Sequence, residues 1–109
     1  MNRLIQGDVG SGKTIVALLA ASIAIDNGFQ VAFMAPTEIL AEQHYNEINR
    51  VFSKTNITSE LLIGRIKAKD KEALYSSISL GKTNLIIGTH ALIQKDVIFN
   101  KLGLIIIDE

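Results

Sequence analysis

The sequence predicts an α/β fold in which a mainly parallel sheet lies between layers of helices. Three short runs are almost entirely apolar, which is typical of parallel strands buried on both faces: residues 31–34, 85–87 and 104–107. Longer segments with apolar residues at helical spacing lie between the predicted strands. Strands that alternate with helices through connections of crossover length form right-handed βαβ units, so the expected architecture has three layers, α/β/α.

The apolar pattern and the end signals predict five strands and three helices. The strands are predicted over residues 3–6, 30–35, 59–63, 84–88 and 104–108, and the helices over 13–27, 37–53 and 67–80. Gly28 and Gly81 follow the first and third helices, where glycine favours the left-handed conformation of a helix end. The hydroxyl of Thr37 can cap the second helix.

Composition excludes several classes of protein. The chain has 109 residues, 48% of them hydrophobic, a net charge of zero and no cysteine. This length fits one domain at most, and the balanced composition argues against disorder. Without cysteine there is no disulfide scaffold or thiolate metal site, and His44 and His90 are too far apart in sequence to suggest a metal cluster. No apolar run reaches the roughly 20 residues that span a bilayer, so a cytoplasmic protein without a membrane partner is expected.

A phosphate-binding loop follows the first predicted strand. The segment reads Gly7-Asp8-Val9-Gly10-Ser11-Gly12-Lys13-Thr14 and matches G-x-x-x-x-G-K-[ST] in full. Its glycines let successive N–H groups point into one anion-sized hollow at a helix N-terminus. Lys13 would reach the β- and γ-phosphates, and the Thr14 hydroxyl would bind Mg²⁺. A chance glycine-rich turn is the alternative, but the strand before it and the helix after it favour a P-loop NTPase.

The last predicted strand ends on two carboxylates, Asp108 and Glu109, in the pattern of a Walker B segment. In P-loop NTPases an acid at this position helps to hold Mg²⁺ beside the phosphate loop. Asp108 is therefore predicted to bind the metal, and Glu109 to orient or deprotonate the attacking water. Paired acids also occur at strand ends on ordinary surfaces, and it is the phosphate loop that favours the catalytic interpretation, with Lys13, Asp108 and Glu109 acting on a bound nucleotide.

Three further strings fall where other predicted strands end, at the edge where open α/β sheets bind ligands. They are Ala35-Pro36-Thr37-Glu38, Gly64-Arg65 and Gly88-Thr89-His90. Thr37 could bind a phosphate through its hydroxyl and the adjacent N–H groups, or it could act as a helix cap alone. Gly88-Thr89-His90 could be a small turn. The basic run 67–71 is interpreted as a solvated helix start in preference to a DNA-binding patch, and His44 is interpreted as a surface histidine.

Taken together, the phosphate loop, the Ala-Pro-Thr-Glu and Gly-Thr-His strings and the final Asp-Glu resemble the first motor domain of superfamily 2 helicases over essentially the whole chain. The resemblance implies a RecA-like fold of which residues 1–109 form the N-terminal part, from Walker A to Walker B, truncated at both ends. It implies an ATP-driven DNA motor that remodels stalled forks and Holliday junctions, with DNA and the remainder of the helicase chain as partners. Position by position, it implies DNA-backbone contacts for Pro36, Thr37, Gly64, Arg65, Thr89 and His90.

The sequence departs from the helicase pattern at one place, and other functions remain as alternatives. Ile63-Gly64-Arg65 stands where these helicases often have Thr-Gly-Ser, so the flanking hydroxyl groups that could contact phosphate are absent, and Arg65 could supply a charge instead. The alternatives are the motor of a transcription-repair coupling factor and a non-catalytic nucleotide-binding or interaction remnant. A small kinase or GTPase is disfavoured because the chain lacks lid arginines and an Asn-Lys-x-Asp string.

The apparent truncation leads to one expectation about the sheet and one about activity. In this fold class another strand normally lies between the Walker B strand and the phosphate-loop strand, so a gap is expected between the first and last strands unless another chain or an altered packing fills it. The isolated fragment is expected to bind nucleotide weakly and to hydrolyse it negligibly, because an arginine finger from another lobe contributes roughly 10³–10⁵ in rate.

Overall fold

A computed structural model describes residues 3–7, 13–64, 67–90 and 97–108 of the chain. All eight predicted elements are present, with bounds that differ from the predictions by two residues at most. In chain order they are β1 (Arg3–Gly7), α1 (Lys13–Asp26), β2 (Gln30–Met34), α2 (Glu38–Val51), β3 (Ser59–Leu62), α3 (Ala68–Ser79), β4 (Leu85–Gly88) and β5 (Leu102–Asp108).

The five strands form one sheet in the order β1-β5-β2-β4-β3, and every neighbouring pair is parallel. Parallel pairing brings the C-terminal ends of all the strands to one edge of the sheet. We call this the carboxyl edge, and the strand residues that end there are Gly7, Asp108, Met34, Gly88 and Leu62.

The gap expected between the first and last strands does not occur. β1 pairs directly with β5 along its whole length, from Arg3 opposite Leu104 to Gly7 opposite Asp108. Unpaired N–H and C=O groups along a strand readily pair with another strand, and the direct ladder pairs the groups of β1 and β5 that face each other. The pairing places Gly7, the first residue of the predicted phosphate loop, opposite Asp108 at the end of β5.

Helices cover both faces of the sheet, which confirms the predicted three-layer arrangement. α1 and α2 pack on one face, and α3 packs on the other. Because successive side chains of a strand point to opposite faces, β2 contributes Val31 and Phe33 to the first core and Ala32 to the second.

No helix among the described residues is long and apolar enough to cross a membrane.

The pairing of β5 with β2 shifts in register at Gly103. Leu102 and Leu104 pair with the successive residues Gln30 and Val31, so Gly103 is the extra residue of β5. A Cβ atom at position 103 would lie 2.6 Å from two carbon atoms of Phe29, far closer than carbon atoms can approach. Phe29 therefore occupies the space that the missing side chain leaves.

A buried glutamine joins three segments at the opposite edge of the sheet. The side chain of Gln30 donates from Nε2 to the carbonyl oxygens of Ile78 and Thr83, at 2.9 and 2.8 Å. Its Oε1 accepts from the backbone N–H groups of Asn100 and Lys101, at 2.7 and 3.0 Å. An amide offers two N–H hydrogens and two lone pairs, so the hydrogen-bonding capacity of this side chain is fully used.

Candidate nucleotide and nucleic-acid site

The carboxyl edge positions the ends of the predicted phosphate loop. β1 ends at Gly7 and α1 begins at Lys13, so the loop connects a strand to a helix as predicted. The first N–H groups of a helix have no partner within the helix and can bind an anion. Thr14 lies in the first turn of α1, and Asp108 ends β5 directly opposite Gly7. Hydroxyl and carboxylate oxygens are ligands that Mg²⁺ prefers, so this set of residues fits the metal.

Several predicted site residues lie outside the described part of the chain. For Lys13, Thr14 and Asp108 the structure describes the backbone. For the predicted nucleotide site, the structure gives the relative positions of the end of β1, the start of α1 and the end of β5. The predicted site residues outside the described part are Asp8, Val9, Gly10, Ser11, Gly12, Arg65 and Glu109.

The connection after β2 carries Pro36 and Thr37, both exposed at the carboxyl edge. Thr37 is the N-cap of α2, with φ −135° and ψ 159°, and its Oγ1 accepts a hydrogen bond from the Leu40 N–H at 3.2 Å. The predicted cap is therefore confirmed. Because the oxygen acts as the acceptor, the hydroxyl hydrogen can still be donated to another oxygen, such as one of a phosphate. Capping and phosphate binding are thus compatible at this residue.

A long-range hydrogen bond joins the connection after β3 to the start of α2. The backbone N–H of Gly64 donates to Oε2 of Glu38 at 2.6 Å. A Cβ atom at position 64 would lie 3.0 Å from the same oxygen, so glycine permits this close approach. The sequence placed both residues at strand ends but contained no signal for the contact, because 26 residues separate the two partners.

The third string follows β4, which lies between β2 and β3 in the sheet. Gly88 is buried, Thr89 is half-buried and His90 is exposed. The connections that carry Thr37, Thr89 and Gly64 therefore follow one another along the carboxyl edge, on the side away from β1. The carboxyl edge thus has two regions: one at β1 and β5, where the predicted nucleotide site falls and which we call the nucleotide region, and one formed by the connections after β2, β4 and β3.

The interpretation of His44 as a surface histidine is wrong. Its ring centre lies 4.9 Å from that of Phe33, a fully buried core residue, and the two rings are inclined by 48°. Position 44 falls between the buried residues Ala41 and Ile48 on α2, so its ring reaches the boundary of the core. The helical spacing of Ala41 and Ile48 was the available signal.

The class of protein follows from comparison with known families. The DEAD/DEAH box helicase family matches residues 1–109, and the chain belongs to this family. Members of such a helicase family use ATP, typically together with Mg²⁺.

The curated relatives are more specific. The chain is 57% identical to the ATP-dependent DNA helicase RecG of Thermotoga maritima, over 100% of this chain and 14% of that protein. It is 56% identical to RecG of Haemophilus influenzae and 53% identical to RecG of Escherichia coli, in each case over 100% of this chain and 16% of the relative. The chain thus spans about a sixth of the length of these two relatives.

A solved structure also resembles the chain. A structure of RecG bound to a three-way DNA junction matches with a TM-score of 0.82 and 43% sequence identity. The match covers 99% of this chain and 18% of that one. It confirms the RecA-like motor fold that the resemblance implied.

Proposed function

We propose that this chain is the N-terminal part of the first motor domain of an ATP-dependent DNA helicase that remodels branched DNA in repair and recombination. The observation that supports the proposal is the parallel register of the sheet, which brings the ends of β1, β5, β2, β4 and β3, and with them the strings predicted to form the site, to one edge. The RecG names of the relatives and the junction-bound structure support it. The same relatives do not favour a transcription-repair coupling factor.

At the nucleotide region, the residues of this chain would bind and orient MgATP. Lys13 and the N–H groups at the start of α1 would hold the phosphates, and Thr14 and Asp108 would hold Mg²⁺. The metal ion supplies charge neutralisation on the phosphates when it is bound. Glu109 would orient the attacking water or accept its proton.

At the neighbouring region, DNA would be held through its backbone. The Thr37 hydroxyl and the N-terminus of α2 are suited to a phosphate oxygen. Such contacts are independent of base sequence and weaken as the salt concentration rises. The residues proposed to lie against the DNA backbone are Pro36, Thr37, Gly64, Arg65, Thr89 and His90.

A substitution at Lys13 tests the nucleotide role in the complete protein. Lys13→Ala is expected to weaken ATP binding by at least about tenfold and to abolish ATP hydrolysis, because the phosphates lose a charged partner. Binding to branched DNA without nucleotide is expected to stay unchanged. ATP affinity by titration, ATP turnover and DNA affinity are the three measurements.

Lys82→Ala is the matched control, because Lys82 is an exposed lysine in the connection before β4, away from the carboxyl edge. It is expected to leave all three quantities unchanged. Equal ATP affinity in the wild type and in Lys13→Ala would contradict the proposal and favour the remaining candidate, a non-catalytic interaction module.

A further inference from the structure

We propose that Glu38 is a positioning residue for DNA binding. Its carboxylate holds the connection after β3 against the start of α2 and so sets the spacing of the groups that face the DNA backbone. Glu38 has this role only if the carboxyl edge binds DNA as proposed above.

The geometry shows how one side chain can bridge the two connections. β4 separates β2 from β3, and neighbouring strands lie about 4.8 Å apart, so the connections after β2 and β3 start about 10 Å from each other. α2 leaves the end of β2 and packs over β3 and β4. From the first turn of this helix the Glu38 side chain reaches Gly64. The contact thus joins the two outer connections across the position where Thr89 follows β4.

The contact fixes the backbone N–H of an exposed glycine. Gly64 is exposed, and a glycine that lacked the contact with Glu38 would have wide conformational freedom. A hydrogen bond from a backbone N–H to a carboxylate is charge-assisted and stronger than a neutral one. A side chain at position 64 would press on the carboxylate oxygen, so Gly64 and Glu38 are suited to each other.

The same contact determines what Gly64 offers to DNA. Its N–H is engaged by Glu38 at 2.6 Å and is therefore not the group that meets a phosphate in this arrangement. Glu38 also follows Thr37, the N-cap residue with the exposed hydroxyl. Its carboxylate consequently fixes the loop after β3 relative to the Thr37 hydroxyl.

Two effects of removing Glu38 have opposite signs, which makes the proposal testable. A carboxylate beside a phosphate backbone repels it, so removing a charge that did nothing else would strengthen DNA binding. Removing a residue that positions the loop would weaken DNA binding in spite of the lost repulsion.

The experiment compares variants of the complete protein at one fixed salt concentration, with a three-way DNA junction as the probe. Glu38→Ala is expected to raise the Kd for the junction about tenfold, the factor that one well-placed charged hydrogen bond supplies, while the KM for ATP stays unchanged. Glu38→Gln keeps an acceptor oxygen without the charge, and its Kd is expected to be intermediate. Amide hydrogen exchange at Gly64 is expected to be faster in Glu38→Ala.

Glu47→Ala is the matched control, since it removes the same charge from an exposed position further along α2. Its Kd for the junction is expected to equal that of the wild type. Unchanged or tighter junction binding by Glu38→Ala would overturn the positioning role while leaving the proposed function intact. A wild-type protein that binds no DNA would instead overturn the proposed function.

If Glu38→Ala does not fold, the junction affinity of Glu38→Gln tests the positioning role instead. Weaker junction binding with an unchanged KM for ATP supports the positioning role, and junction binding equal to that of the wild type overturns it.

Discussion

The side-chain amide of Gln30 connects the end of α3, the connection before β4 and the connection before β5. All four of its hydrogen bonds are with backbone groups, and the residue is only 3% exposed. A buried polar group that is fully paired orders its surroundings, whereas one that loses its partners is costly. Gln30 is therefore a structural residue at the edge of the sheet opposite the site.

Replacing Gln30 by glutamate keeps its shape but removes both N–H donors. The Gln30→Glu variant would place a carboxylate oxygen against the carbonyl oxygens of Ile78 and Thr83. We expect the free energy of unfolding to fall by about 3 kcal/mol. Gln43→Glu makes the same change at an exposed position of α2, and we expect it to alter the free energy by less than about 0.5 kcal/mol. Similar losses in the two variants, measured by chemical denaturation, would contradict this account.

Glu60 lies on β3 and is partly buried. Burial raises the pKa of its carboxyl group above the ordinary value of 4.5. The folded chain therefore holds this proton more tightly than the unfolded chain does. The stability that the proton contributes is present at low pH and is lost as the pH rises through the raised pKa.

Glu60→Gln removes this pH dependence because an amide carries no charge at any of these pH values. We expect the variant to be more stable than the wild type at pH 7, with a difference that shrinks as the pH falls toward 4. Glu72→Gln, at an exposed position on α3, is the control and should show no such trend. Thermal unfolding across this pH range checks the prediction, and a difference that does not vary with pH would refute it.

At the scale of the elements, the N-terminus of α2 combines a structural and a proposed binding role in one residue. Thr37→Asp separates the two roles, because aspartate caps a helix at least as well as threonine but cannot donate to a phosphate and repels it. We expect the unfolding temperature to stay close to that of the wild type. We expect the affinity of the complete protein for junction DNA to fall about tenfold, as for the loss of one charge-assisted contact.

Thr37→Ser keeps the hydroxyl group and is expected to leave both quantities unchanged. If Thr37→Asp bound junction DNA as tightly as the wild type, Thr37 would be a cap and nothing more. A simultaneous fall in unfolding temperature would show that the cap itself had been damaged.

The bounds of strands and helices were largely predictable because their signals are local. Runs such as Leu85-Ile86-Ile87 and the glycines after α1 and α3 determine structure over a few residues. The register shift at Gly103 was not predictable, because it depends on how Phe29 packs against a distant strand. The fully used amide of Gln30 was missed for the same reason, since its partners lie 48 to 71 residues away in sequence.

At the scale of the whole molecule, the location of the candidate site was predictable and its internal contacts were not. Parallel strands must end at a common edge, so the strings after β1, β2, β4, β3 and β5 were expected to share it. The hydrogen bond between Glu38 and Gly64 and the direct pairing of β1 with β5 depend on tertiary packing that no sequence motif encodes. His44 was misjudged because its helix face borders the core.

The position of β5 has a consequence for how the sheet assembles during synthesis. β5 is the last described strand in the chain, yet it lies in the interior of the sheet between β1 and β2. Strands β2, β4 and β3 can pair with one another before β5 leaves the ribosome. β1 cannot, because its only described partner, β5, is synthesised about a hundred residues later. A nascent chain halted before β5 would therefore expose facing edges of β1 and β2, each a template for pairing with a foreign strand.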